Sequence, residues 1–388
     1  MKYYFILGNN PALSLAEIVA VFPEAARGEL AGEDIFLMEA PEFDAARQIR
    51  RMGGVIKIGK ITDQIGGAAE ALKEKILVAI AARRGAGKIN FGISNYGVQS
   101  VKEKFLGLAA KAELKQQSVS ARFVVSRERV LSSVVVEQNK LVSSGLEFAL
   151  IPGGKNILIG ETLAVQPFKE LSRRDYGRPA KDDFSGMLPP KLAQIMINLA
   201  QAKKDAVMLD PFCGSGTILT EAMLMGYRQF IGSDISAKAI DDTSKNIEWL
   251  KNNYQLPNIN YQLSVSAAAD LSKIIRPESV DLIVTEPYLG PQRGHRDWLE
   301  IKKELDGLYA RALAEFRKIL KPGGRAVMVW PVLAKKYFLS PSLGGLKKTE
   351  VLPAKFQNHP AIKLTERKTV MYGRPGQQVW REIVVFKK

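Results

Sequence analysis

In the C-terminal half of the chain, short apolar runs alternate with longer amphipathic ones, and that rhythm predicts its elements. Residues 206–209, 229–233, 279–285 and 326–330 have strand length and composition. Between and around them lie helical stretches at 190–200, 217–225, 237–252 and 300–320. In the last of these Ile301, Leu305, Leu308, Ala312, Phe316 and Leu320 share one face, and Lys321-Pro322-Gly323-Gly324 stops the helix. Strand and helix in strict alternation predict a doubly wound parallel sheet. At the end, 369–372 and 379–386 flank Gly373-Arg374-Pro375-Gly376, a hairpin signal.

The N-terminal half has a different rhythm. A strand at 3–7, a helix from Ser14, an apolar run within 34–39 and a strand at 53–61 read as a small α+β unit. Ser14 and Glu17 have capping-box spacing. A second unit follows: a helix from about 68 to 80, a strand at 88–94, a helix at 101–115, and strands at 121–125 and 133–138. Residues 169–183 are largely polar, punctuated by Gly177 and Pro179, and read as a linker.

A length of 388 residues exceeds the usual span of one core, so two or three domains are expected. The net charge of +16 favours a polyanionic partner, because neutralised phosphates release counterions; a merely soluble basic protein is the alternative. Lys102, Lys104, Lys111 and Lys115 recur along one helical segment, with Arg122, Arg127 and Arg129 close behind. Such a group can track phosphates, although it would serve equally as a solvated face. Arg173, Arg174 and Arg178, and Arg293 with His295 and Arg296, are further candidates. No run approaches the roughly 20 apolar residues of a membrane span, and the opening is too short for a signal segment, so a cytoplasmic protein is expected. Cys213 stands alone and His295 and His359 lie far apart, so neither a disulfide nor a metal site is expected.

The most informative motif is Asp210-Pro211-Phe212-Cys213-Gly214-Ser215-Gly216-Thr217, a strand end running through a small-residue turn into a helix. The glycines admit close approach of a ligand, and the helix N-terminus offers free N–H groups to a carboxylate. Asp234 ends the next strand about 20 residues on, where an acid can accept ribose hydroxyls. Nicotinamide dehydrogenases use a glycine loop too, but this wording resembles the loop of methyltransferases that use S-adenosyl-L-methionine. The resemblance implies cofactor contacts from Asp210, Pro211, Phe212, Gly214, Gly216 and Asp234. Asp270 would serve the adenine if the loop after Ser266 is drawn longer. Cys213 reads as a packing residue of that loop.

A further strand leads into Glu286-Pro287-Tyr288, which resembles the Asp/Asn-Pro-Pro-Tyr element of amino-methyltransferases. There an acceptor binds the amine hydrogens and an aromatic face stacks on the base. One proline is missing here, so either Glu286 or Thr285 can stand at the acceptor position; Glu286 is preferred because it brings a carboxylate.

With Asn10-Pro11-Ala12-Leu13-Ser14-Leu15-Ala16-Glu17, Phe91-Gly92-Ile93-Ser94, Gly160-Glu161-Thr162-Leu163 and Gly186-Met187-Leu188-Pro189-Pro190 added, nearly the whole chain resembles the THUMP-domain tRNA guanine-N2-methyltransferases of the position-10 type. That resemblance implies an α/β fold: a Rossmann-like seven-stranded methyltransferase domain at 184–388, preceded by a ferredoxin-like domain at 1–62, a THUMP-like RNA-binding domain at 63–168 and the linker. It implies methyl transfer to the 2-amino group of a tRNA guanosine. The alternatives are another RNA guanine, or a degenerate methyltransferase that only binds RNA. The expected partner is tRNA, with room for a small activator protein and with neither membrane nor metal.

Overall fold

The computed structural model describes residues 1–66, 69–83, 87–181, 187–256, 258–291 and 297–388. Of the expectations above, those for Arg293, His295, Arg296, Gly186, the end of the linker and the domain start at 184 lie outside the described residues. The chain divides into two compact units. One comprises Met1–Pro11, Glu24–Arg50 and Val55–Phe168; the other comprises Ala12–Pro23, Arg51–Gly54 and Lys169–Lys388.

The first unit is built on one eight-stranded sheet. Strand Val55–Gly66 pairs antiparallel with Lys2–Leu7 on one side and Asn156–Val165 on the other, so a single sheet runs through both of the domains expected here. Helices Ala69–Ala81 and Glu103–Gln116 cover part of it through Leu72, Ile76, Ile80, Ala110 and Leu114, which pack with Phe91 and Phe148. Residues 133–138, expected as a strand, form the helix Ser133–Gln138. The β-branched run suggested a strand, but the Ser132 side chain accepts from Val135 N and caps a helical turn. The antiparallel pair Leu146–Gly153 and Asn156–Val165, turning at Gly154 with φ +69°, was not anticipated.

The helix expected from Ser14 begins earlier, at Pro11, and runs to Val21; from Ala12 on it counts with the second unit. Ser14 and Glu17 therefore form no capping box. Glu17 is fully buried, and its carboxylate accepts from Gly53 N (2.9 Å), Gly54 N (2.8 Å) and Asn198 Nδ2 (2.8 Å).

The second unit holds the expected parallel sheet. Its strands run in the order Asn260–Val265, Gln229–Asp234, Val207–Asp210, Val280–Thr285, Leu320–Leu333, Val379–Lys387 and Lys347–Thr349. The first five are mutually parallel; Val379–Lys387 is antiparallel, and two short strands at Tyr337–Phe338 and Val370–Tyr372 extend the sheet. The strand order reverses between Val207–Asp210 and Val280–Thr285, which is where a doubly wound sheet opens a crevice at its carboxyl ends. The expected linker is helical over Phe168–Tyr176. Arg174 on that helix is buried, donating from Nε to Glu221 Oε1 (2.6 Å) and from Nη2 to Oε2 (3.1 Å), while Gln194 also bonds Oε2. It is thereby taken out of the expected RNA-facing set.

Candidate active site

Four loops leave the carboxyl ends of the parallel strands and line one cleft of about 1050 Å³. They contribute Asp210 to Ser215, Asp234 to Ser236, Ala267 to Ala269 and Glu286 to Pro291; Met187, Leu188, Leu308 and Arg311 close the rim.

The loop after Val207–Asp210 is shaped by its glycines. Gly214 sits at φ +52° on the cleft, with nothing near where a side chain would begin. Gly216 (φ +80°) does not line the cleft, contrary to expectation: a Cβ there would meet the Thr243 methyl at 2.9 Å, so this glycine lets the loop close on helix Ala237–Asn253. Pro211 and Phe212 line the cleft, as does Cys213, whose buried thiol is pushed far up by desolvation and is therefore a packing group.

Asp210 is fully buried. Its Oδ1 accepts the Thr285 hydroxyl at 2.7 Å and Phe212 N at 3.3 Å. Burial is the main cause of a pKa raised to about 7, against those two donors. Thr285 thus faces Asp210 and does not line the cleft.

Asp234 accepts Gly214 N on Oδ2 (3.0 Å) and Ser236 N on Oδ1 (2.9 Å). Each oxygen keeps a lone pair for a ligand. Beside it Ile235 is 76% exposed and lines the cleft, as do Ala267, Ala268 and Ala269 of the neighbouring loop. Asp270 does not line the cleft: it sits on the turn Ala268–Lys273 and pairs with Lys273 at 2.7 Å. In place of the expected adenine acid, this part of the cleft is lined by apolar residues. A large apolar residue directly after the strand-ending acid was the signal for it.

At the other end Glu286 lines the cleft, and Arg381 of strand Val379–Lys387 holds its carboxylate at both oxygens, Nε to Oε1 at 2.5 Å and Nη2 to Oε2 at 3.3 Å. Sequence reasoning missed Arg381. Pro287 follows, and Tyr288 stands 55% exposed at the mouth, its carbonyl accepting the Tyr309 hydroxyl at 3.0 Å.

The basic residues expected on RNA are elsewhere. In the first unit Lys102, Lys104, Lys111 and Lys115 are all exposed along Glu103–Gln116 and its N-cap, with Lys102 beside the exposed ring of Phe105. In the second, Arg173 is on the surface, bonded to Asn253 and close to the Trp249 and Tyr254 rings.

A sheet that reverses at a glycine loop, an acid ending the next strand and an acid-proline-tyrosine loop across the cleft together define a Rossmann-like methyltransferase unit. Residues 178–339 match the RMKL-like methyltransferase domain, and residues 99–245 match a DNA methylase family. The curated relatives of this chain include several tRNA guanine-N2-methyltransferases and a U6 snRNA guanine-N2-methyltransferase. It is 30% identical to the tRNA (guanine(10)-N2)-dimethyltransferase of Methanocaldococcus jannaschii over 50% of this chain and 53% of that one. It is 35% identical to the enzyme of the same name from Methanothermobacter thermautotrophicus, over 40% of this chain and 42% of that one. The chain spans about half the length of the curated relatives it matches. The crystal structure of TrmN from Thermus thermophilus shares the fold over 100% of both chains, with a TM-score of 0.52 at 19% identity.

Proposed function

We propose that this protein methylates the exocyclic 2-amino group of a guanosine in tRNA, at position 10, using S-adenosyl-L-methionine. The observation that carries the proposal is the joining, in one cleft, of a strand-ending acid with apolar neighbours to the Glu286-Pro287-Tyr288 loop. At the first end Asp234 has two free lone pairs for ribose hydroxyls, and Ile235 and Ala267 to Ala269 supply apolar surface on which an adenine could lie. Gly214 leaves the room that a chain running toward the helix N-terminus requires. When bound, the cofactor supplies an electrophilic methyl group on a sulfonium.

The chain's own residues do the rest. Tyr288 offers a ring face for a base swung out of its stack. Glu286, fixed by Arg381, accepts a hydrogen bond from the amine, so favours the pyramidal nitrogen whose lone pair can attack, and takes the proton that the methylated nitrogen sheds. Its negative charge stabilises the positive charge that develops on that nitrogen. The exposed lysines of Glu103–Gln116 are the proposed phosphate contacts, in a module of THUMP character.

The test is to incubate the full chain with S-adenosylmethionine and an unmodified tRNA transcript and to read the nucleosides by mass spectrometry. N2-methylguanosine mapping to guanosine 10 is expected. Product at another guanosine would correct the position, and transcripts left unmethylated on every guanine amine would sink the proposal.

A further inference from the structure

Arg178 is a buried cation that the reading above leaves unused. It is only 5% exposed, and its segment is pinned beside the cofactor loop because Asn246 Nδ2 bonds both the Ala180 carbonyl (2.9 Å) and the Ser215 carbonyl (2.7 Å). Arg178 Nη1 donates to Thr217 Oγ1 at 2.5 Å, at the first residue of helix Thr217–Leu224. Nη2 reaches the Met187 sulfur at 2.8 Å. Thr217 and Met187 both line the cleft, so the guanidinium stands directly behind its wall.

Its hydrogen bonding is poor for so buried a charge. Among the described residues Nε has no acceptor and Arg178 forms no ion pair, and a thioether is a weak acceptor. Arg174, four positions earlier, shows the contrast, since both of its contacts fall on the Glu221 carboxylate. Desolvation accordingly pushes the Arg178 pKa down, only partly offset by Asp175 and Glu221 at longer range. A buried guanidinium without a counter-charge is costly, and the positive end of a helix adds to the same field at Thr217. Both features favour an anion at this wall. Arg178 does not itself line the cleft, so an anion meets its guanidinium only by displacing the Met187 sulfur from Nη2, and a carboxylate matches the planar donor edge it would then face.

We propose that Arg178 binds the carboxylate at the amino-acid end of the cofactor, an inference that rests on the S-adenosylmethionine reading of the cleft. Calorimetry on the full chain tests it with two probes, S-adenosylhomocysteine and 5′-methylthioadenosine, which lacks the amino-acid carboxylate. In Arg178→Gln the dissociation constant for S-adenosylhomocysteine should rise by about ten- to a hundredfold, in keeping with loss of a charged hydrogen bond, and that for methylthioadenosine should stay within about twofold. Arg178→Lys keeps the charge and should recover part of the loss. Equal weakening of both probes would overturn the inference, because Arg178 would then only prop the loop; so would unchanged affinity for S-adenosylhomocysteine. A wild-type chain that binds neither probe would instead remove the cofactor reading itself.

Discussion

Asp234 and Glu286 each stand at the carboxyl end of a parallel strand and line the same cleft, yet they are anchored in different ways. Asp234 is held by two backbone N–H groups from its own loop and the neighbouring one, Ser236 and Gly214. Glu286 is held by a side chain, the guanidinium of Arg381, 95 positions further along. Backbone donors carry no net charge and leave the carboxylate's own charge uncompensated for a ligand. A guanidinium offsets only part of that charge and fixes both oxygens in one plane. One acid is therefore built for affinity toward neutral hydroxyls, the other for orientation.

The largest effect should come from breaking the second anchor. Glu286→Ala removes the amine acceptor, worth roughly a hundredfold in rate, and strands Arg381 as a buried unpaired charge, at about 3 kcal/mol in stability. Glu286→Gln keeps a single acceptor oxygen and loses the charge, and should fall between wild type and Ala in single-turnover methylation. Because Arg381 is part of the same unit, Arg381→Ala should slow methylation in the same direction while cofactor affinity, read by calorimetry, holds. If Arg381→Ala methylates as wild type does, the pair is structural and orientation comes from elsewhere.

A smaller effect, on a different observable, is expected from the first anchor. Asp234→Ala should raise the S-adenosylmethionine dissociation constant by about tenfold to a hundredfold, since two ribose hydroxyls lose their acceptor, with little change in rate at saturating cofactor. The comparison fails if Asp234→Ala binds cofactor at full strength, or if it loses rate but not affinity.

The two anchors also differ in how far they could be read in the sequence. Gly214, Asp234 and Ser236 lie within one strand-turn-helix-strand unit, so spacing alone brought them together. Arg381 sits on an antiparallel arm whose register, Arg381 opposite Tyr372 and Pro331, is set by pairing across the sheet and leaves no local trace. The same limit explains the other misreadings. Glu17 has capping-box spacing but is buried against Gly53, Gly54 and Asn198, contacts up to 181 positions away. Arg174, expected from the sequence to face RNA phosphates, is instead committed to the buried Glu221 carboxylate, 47 positions away. Ser133–Gln138 is rich in β-branched residues yet helical, because Ser132 caps it and Val136 is buried on the core side. The alternating half of the chain was legible because each of its elements reports its own period; Leu146–Gly153 was not, since most of that strand is buried on both faces and carries no alternation.

The smallest effect concerns Thr285, which the sequence left as a rival to Glu286. Its hydroxyl is given to Asp210 and does not reach the cleft, so Thr285→Val should leave single-turnover methylation within about threefold of wild type, while costing about 1 kcal/mol in stability for the lost bond. The pH dependence of stability should change as well. Asp210 has a folded-state pKa of about 7, above its unfolded value, so its contribution is fully present below about pH 4 and is lost as pH rises through about 7. Thr285 is one of the two donors that hold that pKa down. Removing it lets Asp210 bind its proton more tightly, so the variant should lose more stability than wild type between pH 5 and pH 8, with the window reaching further toward alkaline pH. Thermal unfolding midpoints across that range measure the difference. Should Thr285→Val instead abolish methylation while its unfolding profile follows wild type, the amine is held one residue back along the strand, and Glu286 serves only to seat Arg381.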